Sequence, residues 1–253
     1  MKVRVLGCAG GEQPGRRLTS FLLNDHVLLD AGAATGSLSL DEQEEIRAVL
    51  LSHSHLDHVA GLAFLGDNLA VKDRHAPILV RSIPEVLQVL REHFFNNLLW
   101  PDFTALPTLT HPVFQLSPLQ EGVETPIEGL RVTAISVHHT LPAVGYLIRD
   151  NSGAILYSGD TGPTEKLWTV ARNAGDLKAV IVETSFPNRL QTLATQSGHL
   201  TPGTLKAELA KLSKSVSVFI THLKPPFIAE IQEEIAALGR NLTLLEDGHT
   251  YSF

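Results

Sequence analysis

Hydrophobic residues of this 253-residue chain fall into short runs separated by polar turns. Short apolar or alternating runs are typical of strands, whereas an apolar position every third or fourth residue is typical of helices. Because the two kinds of segment alternate along much of the chain, we expect an α/β fold. Strands are predicted at 2–6, 20–24, 26–30, 48–52, 77–81, 130–137, 144–149, 153–158, 178–183, 216–220, 242–245 and 250–253. Helices are predicted at 57–65, 83–95, 163–173, 202–212 and 227–238.

Two of the predicted helices carry recognisable start signals. Ser82 and Glu85 have the spacing of a capping box at the start of the second helix. The fourth helix opens with Thr201 as its N-cap and Pro202 in its first position. The apolar face of the second helix is predicted to consist of Ile83, Val86, Leu87, Leu90 and Phe94.

Composition narrows the class of protein. Hydrophobic residues make up 43% of the chain, which is enough for a substantial core, and the formal net charge is −7. An acidic chain lacks the basic footprint of a nucleic-acid-binding protein, so such a partner is not expected. The single cysteine, Cys8, excludes an internal disulfide and fits a reducing compartment. No segment approaches the about 18 apolar residues of a membrane span, and no signal peptide is evident, so we expect a cytoplasmic protein without membrane association.

A dense group of metal-binding side chains follows the buried strand predicted at 48–52. His53, His55, Asp57 and His58 lie within six residues of one another. Imidazole and carboxylate ligands suit zinc, iron or manganese. A histidine-rich surface loop is the alternative interpretation, but clusters of this kind usually mark functional sites. The sequence therefore predicts a metal site at the edge of a sheet.

Further metal-binding side chains stand directly after three later strands. His138 and His139 follow the strand at 130–137, Asp160 follows the strand at 153–158, and His222 follows the strand at 216–220. Together with the first group they provide enough ligands for two ions that share one carboxylate.

The pattern His-x-His-x-Asp-His resembles the signature of the metallo-β-lactamase superfamily. The resemblance implies one domain over residues 1–253 with a four-layer αββα sandwich, two divalent ions at one rim of the sheets, and hydrolysis as the reaction. Zinc is the expected metal, with manganese or iron as alternatives. We interpret 66–115 as a helix-containing insertion and a candidate substrate wall. The implied ligands are His53, His55 and His139 for one ion, Asp57, His58 and His222 for the other, and Asp160 as the bridge.

The choice between the neighbouring residues His138 and His139 depends on the segment that follows them. Residues 139–146 are similar to the family stretch in which the ligand histidine precedes a small residue, a proline and Gly-Tyr, which favours His139. His138 is then expected to point away from its neighbour, as a supporting or substrate-pocket residue.

A second pair of polar residues is a candidate for catalysis. Glu183 ends a predicted strand, and His199 lies shortly before the start of the helix at 202–212. Histidine at such a position can bind a phosphoryl oxygen or protonate a leaving alkoxide, and Glu183 can orient it. The alternative is a loop histidine and a surface acid. Asp57, His199 and Glu183 are therefore the candidate catalytic residues.

Several blocks are similar to those of the class II 3′,5′-cyclic-nucleotide phosphodiesterases. The matching blocks are 53–61, 91–103, 182–187, 198–202 and 220–225. The resemblance implies hydrolysis of cAMP or cGMP to the 5′-monophosphate by a hydroxide that bridges two metal ions roughly 3.5–4 Å apart. The expected partner is this small-molecule substrate. The sequence leaves open whether the protein forms a homodimer.

The block at 91–103 and the remaining histidines have more than one interpretation. Trp100 and its aromatic neighbours can stack on a base, and Asn97 can read a base edge or a ribose, or the aromatics can simply pack in the core. Spacing supports no ligand role for the other histidines. These are His26, His75, His93, His111 and His249.

Three other functions compete with cyclic-nucleotide hydrolysis. A tRNA 3′-processing endonuclease has similar ligand blocks, but the basic, Gly- and Pro-rich arm of that family has no counterpart here. A hydrolase of another small ester, a thioester or a lactone is the second alternative. A metal-binding protein without catalytic activity is the third, and metal-dependent turnover of a phosphodiester would exclude it.

Overall fold

The fold is built on two seven-stranded sheets, as seen in a computed structural model that describes residues 1–72, 76–212, 215–239 and 241–253. In chain order the strands are β1 (Lys2–Gly7), β2 (Ser20–Leu23), β3 (Val27–Ala31), β4 (Ala48–Leu50), β5 (Ile78–Ser82), β6 (Pro107–Thr108), β7 (His111–Pro112), β8 (Phe114–Pro118), β9 (Thr125–Ile127), β10 (Leu130–Ser136), β11 (Val144–Asp150), β12 (Gly153–Tyr157), β13 (Leu177–Glu183), β14 (Ser217–Thr221), β15 (Leu242–Leu244) and β16 (Thr250–Ser252). The helices are α1 (Ala34–Ser37), α2 (Leu40–Glu44), α3 (Leu56–Leu69), α4 (Pro84–Val89), α5 (Lys166–Asn173), α6 (Gln191–Ser197), α7 (Pro202–Leu209) and α8 (Ile228–Ala236).

Both sheets follow the same mixed plan. The first has the order β16-β1-β2-β3-β4-β5-β8, and the second has the order β15-β14-β13-β12-β11-β10-β9. In each sheet the strands on one side pair antiparallel, whereas the run β3-β4-β5-β8 and the run β12-β13-β14-β15 are parallel. Since parallel strands end at the same edge, the loops that follow them meet there.

Three apolar clusters hold the layers together. Side chains of both sheets, such as Phe21, Leu50, Tyr146 and Phe219, are buried together in one cluster. A second cluster joins the first sheet to α3 and α4, and a third joins the second sheet to α5, α7 and α8. The predicted αββα sandwich is therefore confirmed. Among the described residues no helix is long and apolar enough to cross a membrane.

Most predicted elements are present, with ends shifted by a few residues. The short strands β8 and β9 were not predicted, because their sequences mix polar residues and proline with few apolar ones. Thr201 caps α7 as predicted, and Pro202 occupies its first turn.

The capping box predicted for the helix at 83–95 is wrong. Ser82 is the last residue of β5, and its hydroxyl donates to the carbonyl of Leu51 instead. Ile83 is the N-cap, without a side-chain hydrogen bond, and Pro84 sets the helical start. The helix also changes to π-type over Leu90–Phe94. Its predicted apolar face is buried except for Ile83, which is half-buried.

The segment 66–115 contributes both to the first sheet and to the core. It contains β5, which lies between β4 and β8, and the buried rings of Phe94, Phe95 and Phe103, which pack near Phe114. These aromatic side chains therefore belong to the core. The interpretation of this segment as an insertion and of residues 1–253 as one domain stays a prediction.

A close approach of helix α3 to strand β3 places the start of the helix at the sheet edge. A Cβ atom at Gly61 would lie 2.2 Å from the carbonyl oxygen of Ala31. Only glycine permits this spacing, so the second turn of α3 packs directly against the end of β3.

Candidate metal centre

The first sheet supplies four metal-binding side chains through the end of β4 and the start of α3. His53 and His55 lie in the loop after β4, and His55 is the N-cap residue of α3. Asp57 and His58 lie in the first helical turn. Because the chain changes from extended loop to helix at His55, the pair His53 and His55 and the pair Asp57 and His58 point toward different positions at the same sheet edge.

The second sheet supplies three more, one after each of β10, β12 and β14. These are His139, Asp160 and His222. His222 has a φ angle of +65°, a left-handed conformation that is uncommon for a residue with a side chain. All seven side chains that the sequence predicts as ligands thus meet at one edge of the sandwich.

One donor cluster consists of His53, His55, His139 and Asp160. His55 Nδ1 lies 3.1 Å from both His53 Nε2 and His139 Nε2. Asp160 Oδ2 lies 3.6 Å from His53 Nε2. Three ring nitrogens and a carboxylate oxygen therefore converge on one small volume.

The adjacent donor cluster consists of Asp57, His58 and His222. The Nε2 atoms of His58 and His222 are 3.2 Å apart, and Asp57 Oδ2 lies 3.3 Å from His222 Nε2. Asp160 Oδ2 lies 3.4 Å from His58 Nε2 and 3.2 Å from His222 Nε2. Asp160 thus borders both clusters.

The donor atoms fit divalent metal ions. Asp160 Oδ1 is buried, and none of the described residues forms a hydrogen bond with it. A buried polar atom without a partner is costly unless a ligand satisfies it. Ring nitrogens that face one another at 3.1–3.2 Å are likewise arranged for a shared cation, and imidazole with carboxylate suits zinc, manganese and iron.

The protonation states also suit metal binding. Burial lowers the pKa of His53, His55 and His139, which keeps these rings neutral and able to coordinate. For Asp57 and Asp160 burial alone would raise the pKa, but the surrounding histidines outweigh it and lower the pKa below the usual range. Both carboxylates are therefore ionised at neutral pH.

Beneath the clusters lies Asp30, whose importance the sequence analysis missed. Its carboxylate contacts His58 Nδ1 at 2.8 Å and accepts hydrogen bonds from the backbone and hydroxyl of Ser52 and from the hydroxyl of Tyr157. Ser52 Oγ also lies 2.9 Å from His53 Nδ1. Such partners fix the orientation of a metal-binding ring. The available signal was an aspartate next to the end of the apolar strand β3.

Two further partners orient rings of the second sheet. His139 Nδ1 lies 3.0 Å from the carbonyl oxygen of Gly198, and His222 Nδ1 lies 2.9 Å from Ser185 Oγ. Ser185 stands two residues after β13, in the block 182–187, and no role was predicted for this residue.

His199 and Glu183 form a buried pair beside both clusters. His199 Nδ1 lies 2.8 Å from Glu183 Oε1, and Ser185 donates to Glu183 Oε2. The His199 ring stacks on His222 with ring centres 5.5 Å apart and contacts His139 edge-on. Burial lowers the pKa of His199, but the Glu183 carboxylate outweighs it and raises the pKa above the usual value.

The other candidate substrate residues lie outside the clusters. His138 is exposed. Asn97 has a left-handed backbone, and its side-chain oxygen accepts from the backbone of Asp102 within the same loop. Trp100 is half-buried, and its Nε1 donates to the carbonyl of Ala63. Their substrate contacts stay predictions.

The histidines for which no ligand role was predicted lie at the surface or outside the described residues. His26, His93, His111 and His249 are exposed, and His75 lies outside the described residues.

Metal binding is expected to release a proton from His58. Burial would lower the pKa of this ring, but Asp160 and Asp30 outweigh it and raise the pKa well above the usual value, so His58 is cationic in the metal-free protein at pH 7. Coordination through Nε2 requires that proton to leave. We expect affinity for Zn²⁺ to fall as the pH is lowered. Calorimetric titrations in buffers with different ionisation enthalpies measure the release, which should decrease in Asp30→Asn. Binding enthalpies that do not depend on the buffer would contradict the expectation.

The chain is similar in sequence and in structure to several known proteins. Residues 26–222 match the family described as the beta-lactamase superfamily domain. A 3′,5′-cyclic-nucleotide phosphodiesterase from Aliivibrio fischeri is 28% identical, and the match covers 98% of this chain and 91% of the relative. A ribonuclease Z from Archaeoglobus fulgidus is 24% identical over 85% of this chain and 81% of its own length. The crystal structure of unliganded yeast PDE1 superposes with a TM-score of 0.82 at 20% identity, covering 98% of each chain.

Proposed function

This chain belongs to the beta-lactamase superfamily as one of its hydrolases, and we propose that it is a phosphodiesterase that uses two metal ions to convert 3′,5′-cyclic nucleotides to 5′-monophosphates. The observation that carries the proposal is the match of 98% of the chain to the Aliivibrio fischeri phosphodiesterase. Two adjacent donor clusters with the His199–Glu183 pair beside them support it, since phosphoryl transfer depends on positioning and charge stabilisation.

Each donor cluster is proposed to hold one divalent ion. His53, His55 and His139 would hold the first and Asp57, His58 and His222 the second, with Asp160 shared. Zinc is the proposed metal, since its protein ligands include histidine and carboxylate, and manganese and iron are alternatives. When bound, a pair of such ions lowers the pKa of a water molecule to about 7 and offsets negative charge on phosphoryl oxygens.

Asp57 is proposed to orient the attacking water in addition to binding metal. Its side chain is 23% exposed, whereas Asp160 is only 2% exposed, so Asp57 lies on the substrate side of the clusters. Its ionised carboxylate can accept a hydrogen bond from water and hold the oxygen toward phosphorus.

His199 is proposed to act on the leaving 3′ oxygen. Because Nδ1 donates to Glu183, Nε2 on the opposite edge of the ring is left to donate a proton to substrate. The raised pKa favours the cationic form of the ring, which is the form that a general acid requires. Glu183 is then a positioning residue, held in turn by Ser185 and by the backbone of Thr161.

Processing of tRNA 3′ ends is the second candidate. The relative from Archaeoglobus fulgidus named ribonuclease Z favours it, since it matches 85% of this chain. The net charge of −7 disfavours binding to a polyanion as large as tRNA.

Hydrolysis of 3′,5′-cAMP by the purified protein tests the proposal. We expect 5′-AMP as the product, about two metal ions per chain, and loss of activity after EDTA treatment that Zn²⁺ or Mn²⁺ restores. A 2′,3′-cyclic nucleotide serves as a matched substrate control. A protein that holds two ions but leaves cAMP and cGMP intact, and instead cleaves a tRNA precursor, would replace this proposal with the second candidate.

A further inference from the structure

The ammonium group of Lys224 lies at the edge of the second donor cluster. Lys224 Nζ is 4.0 Å from Asp57 Oδ2 and donates a hydrogen bond of 2.6 Å to the carbonyl oxygen of Gly10. Because the two charged groups are 4.0 Å apart and their side chains are 26% and 23% exposed, they face the same opening.

Neighbouring loops hold this lysine in place. Its backbone N–H donates to the carbonyl of Ser185, the residue whose hydroxyl contacts the His199 and His222 rings. Gly10 donates to the carbonyl of Leu223, and a Cβ atom at Gly10 would lie 2.7 Å from the His222 ring. Glycine is therefore required at this position, and its carbonyl fixes the end of a side chain that is flexible elsewhere.

Within the part of the chain that the structure describes, the contacts of Lys224 leave part of its hydrogen-bonding capacity unused. An ammonium group has three N–H donors. Gly10 accepts one of them, and the 4.0 Å separation from Asp57 exceeds a hydrogen bond, which spans about 2.7–3.2 Å. By contrast, Lys2 and Asp25 pair at 2.9 Å on the protein surface. The geometry leaves donors that can point toward a ligand in front of Asp57.

We propose that Lys224 binds a non-bridging phosphoryl oxygen of the substrate and of the phosphate product. The inference rests on the proposed phosphodiesterase function and adds a residue to it. Lysine binds phosphate as a point charge, and a cation held in advance stabilises the negative charge that develops when the phosphodiester is attacked. Asp57, which faces the same opening, carries the opposite charge and is suited to water, so the two residues divide the site between nucleophile and phosphate.

Replacement of Lys224 by methionine tests this role in the metal-loaded protein. Methionine keeps a long unbranched side chain and removes the charge. We expect unchanged metal content, with affinity for inorganic phosphate and kcat/KM for bis(p-nitrophenyl) phosphate both reduced about 10- to 100-fold, as for loss of one hydrogen bond from a charged donor. Lys224→Arg should recover part of both. Lys206→Met, at an exposed position on α7, is the matched control and should change neither.

Two results would overturn the inference. Unchanged phosphate affinity in Lys224→Met would show that the ammonium does not contact the ligand. Loss of metal from Lys224→Met, with full phosphate affinity and activity once that variant is reloaded with metal, would make the lysine a support for Asp57 only. Calorimetry measures the affinity for inorganic phosphate directly, so this test does not require the natural substrate to be known. A wild-type protein that binds phosphate through Lys224 yet leaves cyclic nucleotides intact would thus disprove the proposed function and retain this inference.

Discussion

Replacing Asp160 with alanine is expected to empty both metal sites and to lower phosphodiesterase activity by more than about a thousandfold. Asp160 Oδ2 lies within 3.6 Å of the Nε2 atoms of His53, His58 and His222, so its removal takes a donor from both clusters at once. It also leaves the cationic His58 without the carboxylate that lies 3.4 Å from its Nε2. Among the described carboxylates, only that of Asp160 groups with histidines of both clusters.

Metal analysis and thermal unfolding of the same samples check this expectation. Bound metal stabilises the folded state by about 2.7 kcal/mol when its concentration is a hundred times its dissociation constant. Wild type should therefore unfold at a higher temperature than Asp160→Ala in the presence of Zn²⁺, and the gap should shrink after chelation. Asp160→Asn keeps one oxygen and should retain more metal, while Asp67→Ala, at an exposed position on α3, is the control. An Asp160→Ala protein that retains two ions would refute the bridging role.

Replacing His199 with alanine is expected to lower kcat by about 10²- to 10⁴-fold while both ions remain bound. The His199 ring stacks on His222 and contacts His139 edge-on. Its Nδ1 is hydrogen-bonded to Glu183 and to neither of these two rings. The ligands keep their own partners, Gly198 and Ser185, after the substitution. The loss should thus appear in turnover rather than in metal content.

The pH profile separates proton donation from simple packing. Because the Glu183 carboxylate outweighs burial and raises the pKa of His199, the ring is protonated below that pKa, and activity should fall as the pH rises through it. His199→Ala should lack this alkaline limb. Glu183→Gln should move the limb to lower pH, whereas His93→Ala, an exposed position, should leave the profile unchanged. Full activity of His199→Ala would rule out its proposed role.

The positions of the ligands could be predicted because each follows an apolar strand. Strand periodicity is readable from the sequence, and the ends of parallel strands in one sheet share an edge, so Asp160 and His222 could be expected close together. The resemblance to the superfamily implied that they also meet the loop that holds His53. The structure brings His139 into a cluster and leaves His138 exposed, and the choice of His139 as the ligand stays a prediction.

The partners of the ligands could not be predicted in the same way. Asp30 contacts Tyr157 and Ser185 contacts His222 across long stretches of chain, and no local pattern reports such pairs. The false capping box has a related cause. Ser82 and Glu85 have the right spacing, but β5 continues through Ser82. The Ser82 hydroxyl donates to the carbonyl of Leu51 instead of capping the helix.

The division of donor residues between the sheets makes the metal centre a cross-link within the chain. His53, His55, Asp57 and His58 come from the first sheet, whereas His139, Asp160 and His222 come from the second. Neither half of the molecule contains a complete donor set for either cluster. High-affinity sites therefore form only after the two sheets have docked, and the free energy of metal binding then opposes their separation. The same ions that are proposed to serve catalysis would then also fasten the two halves of the fold together at the rim.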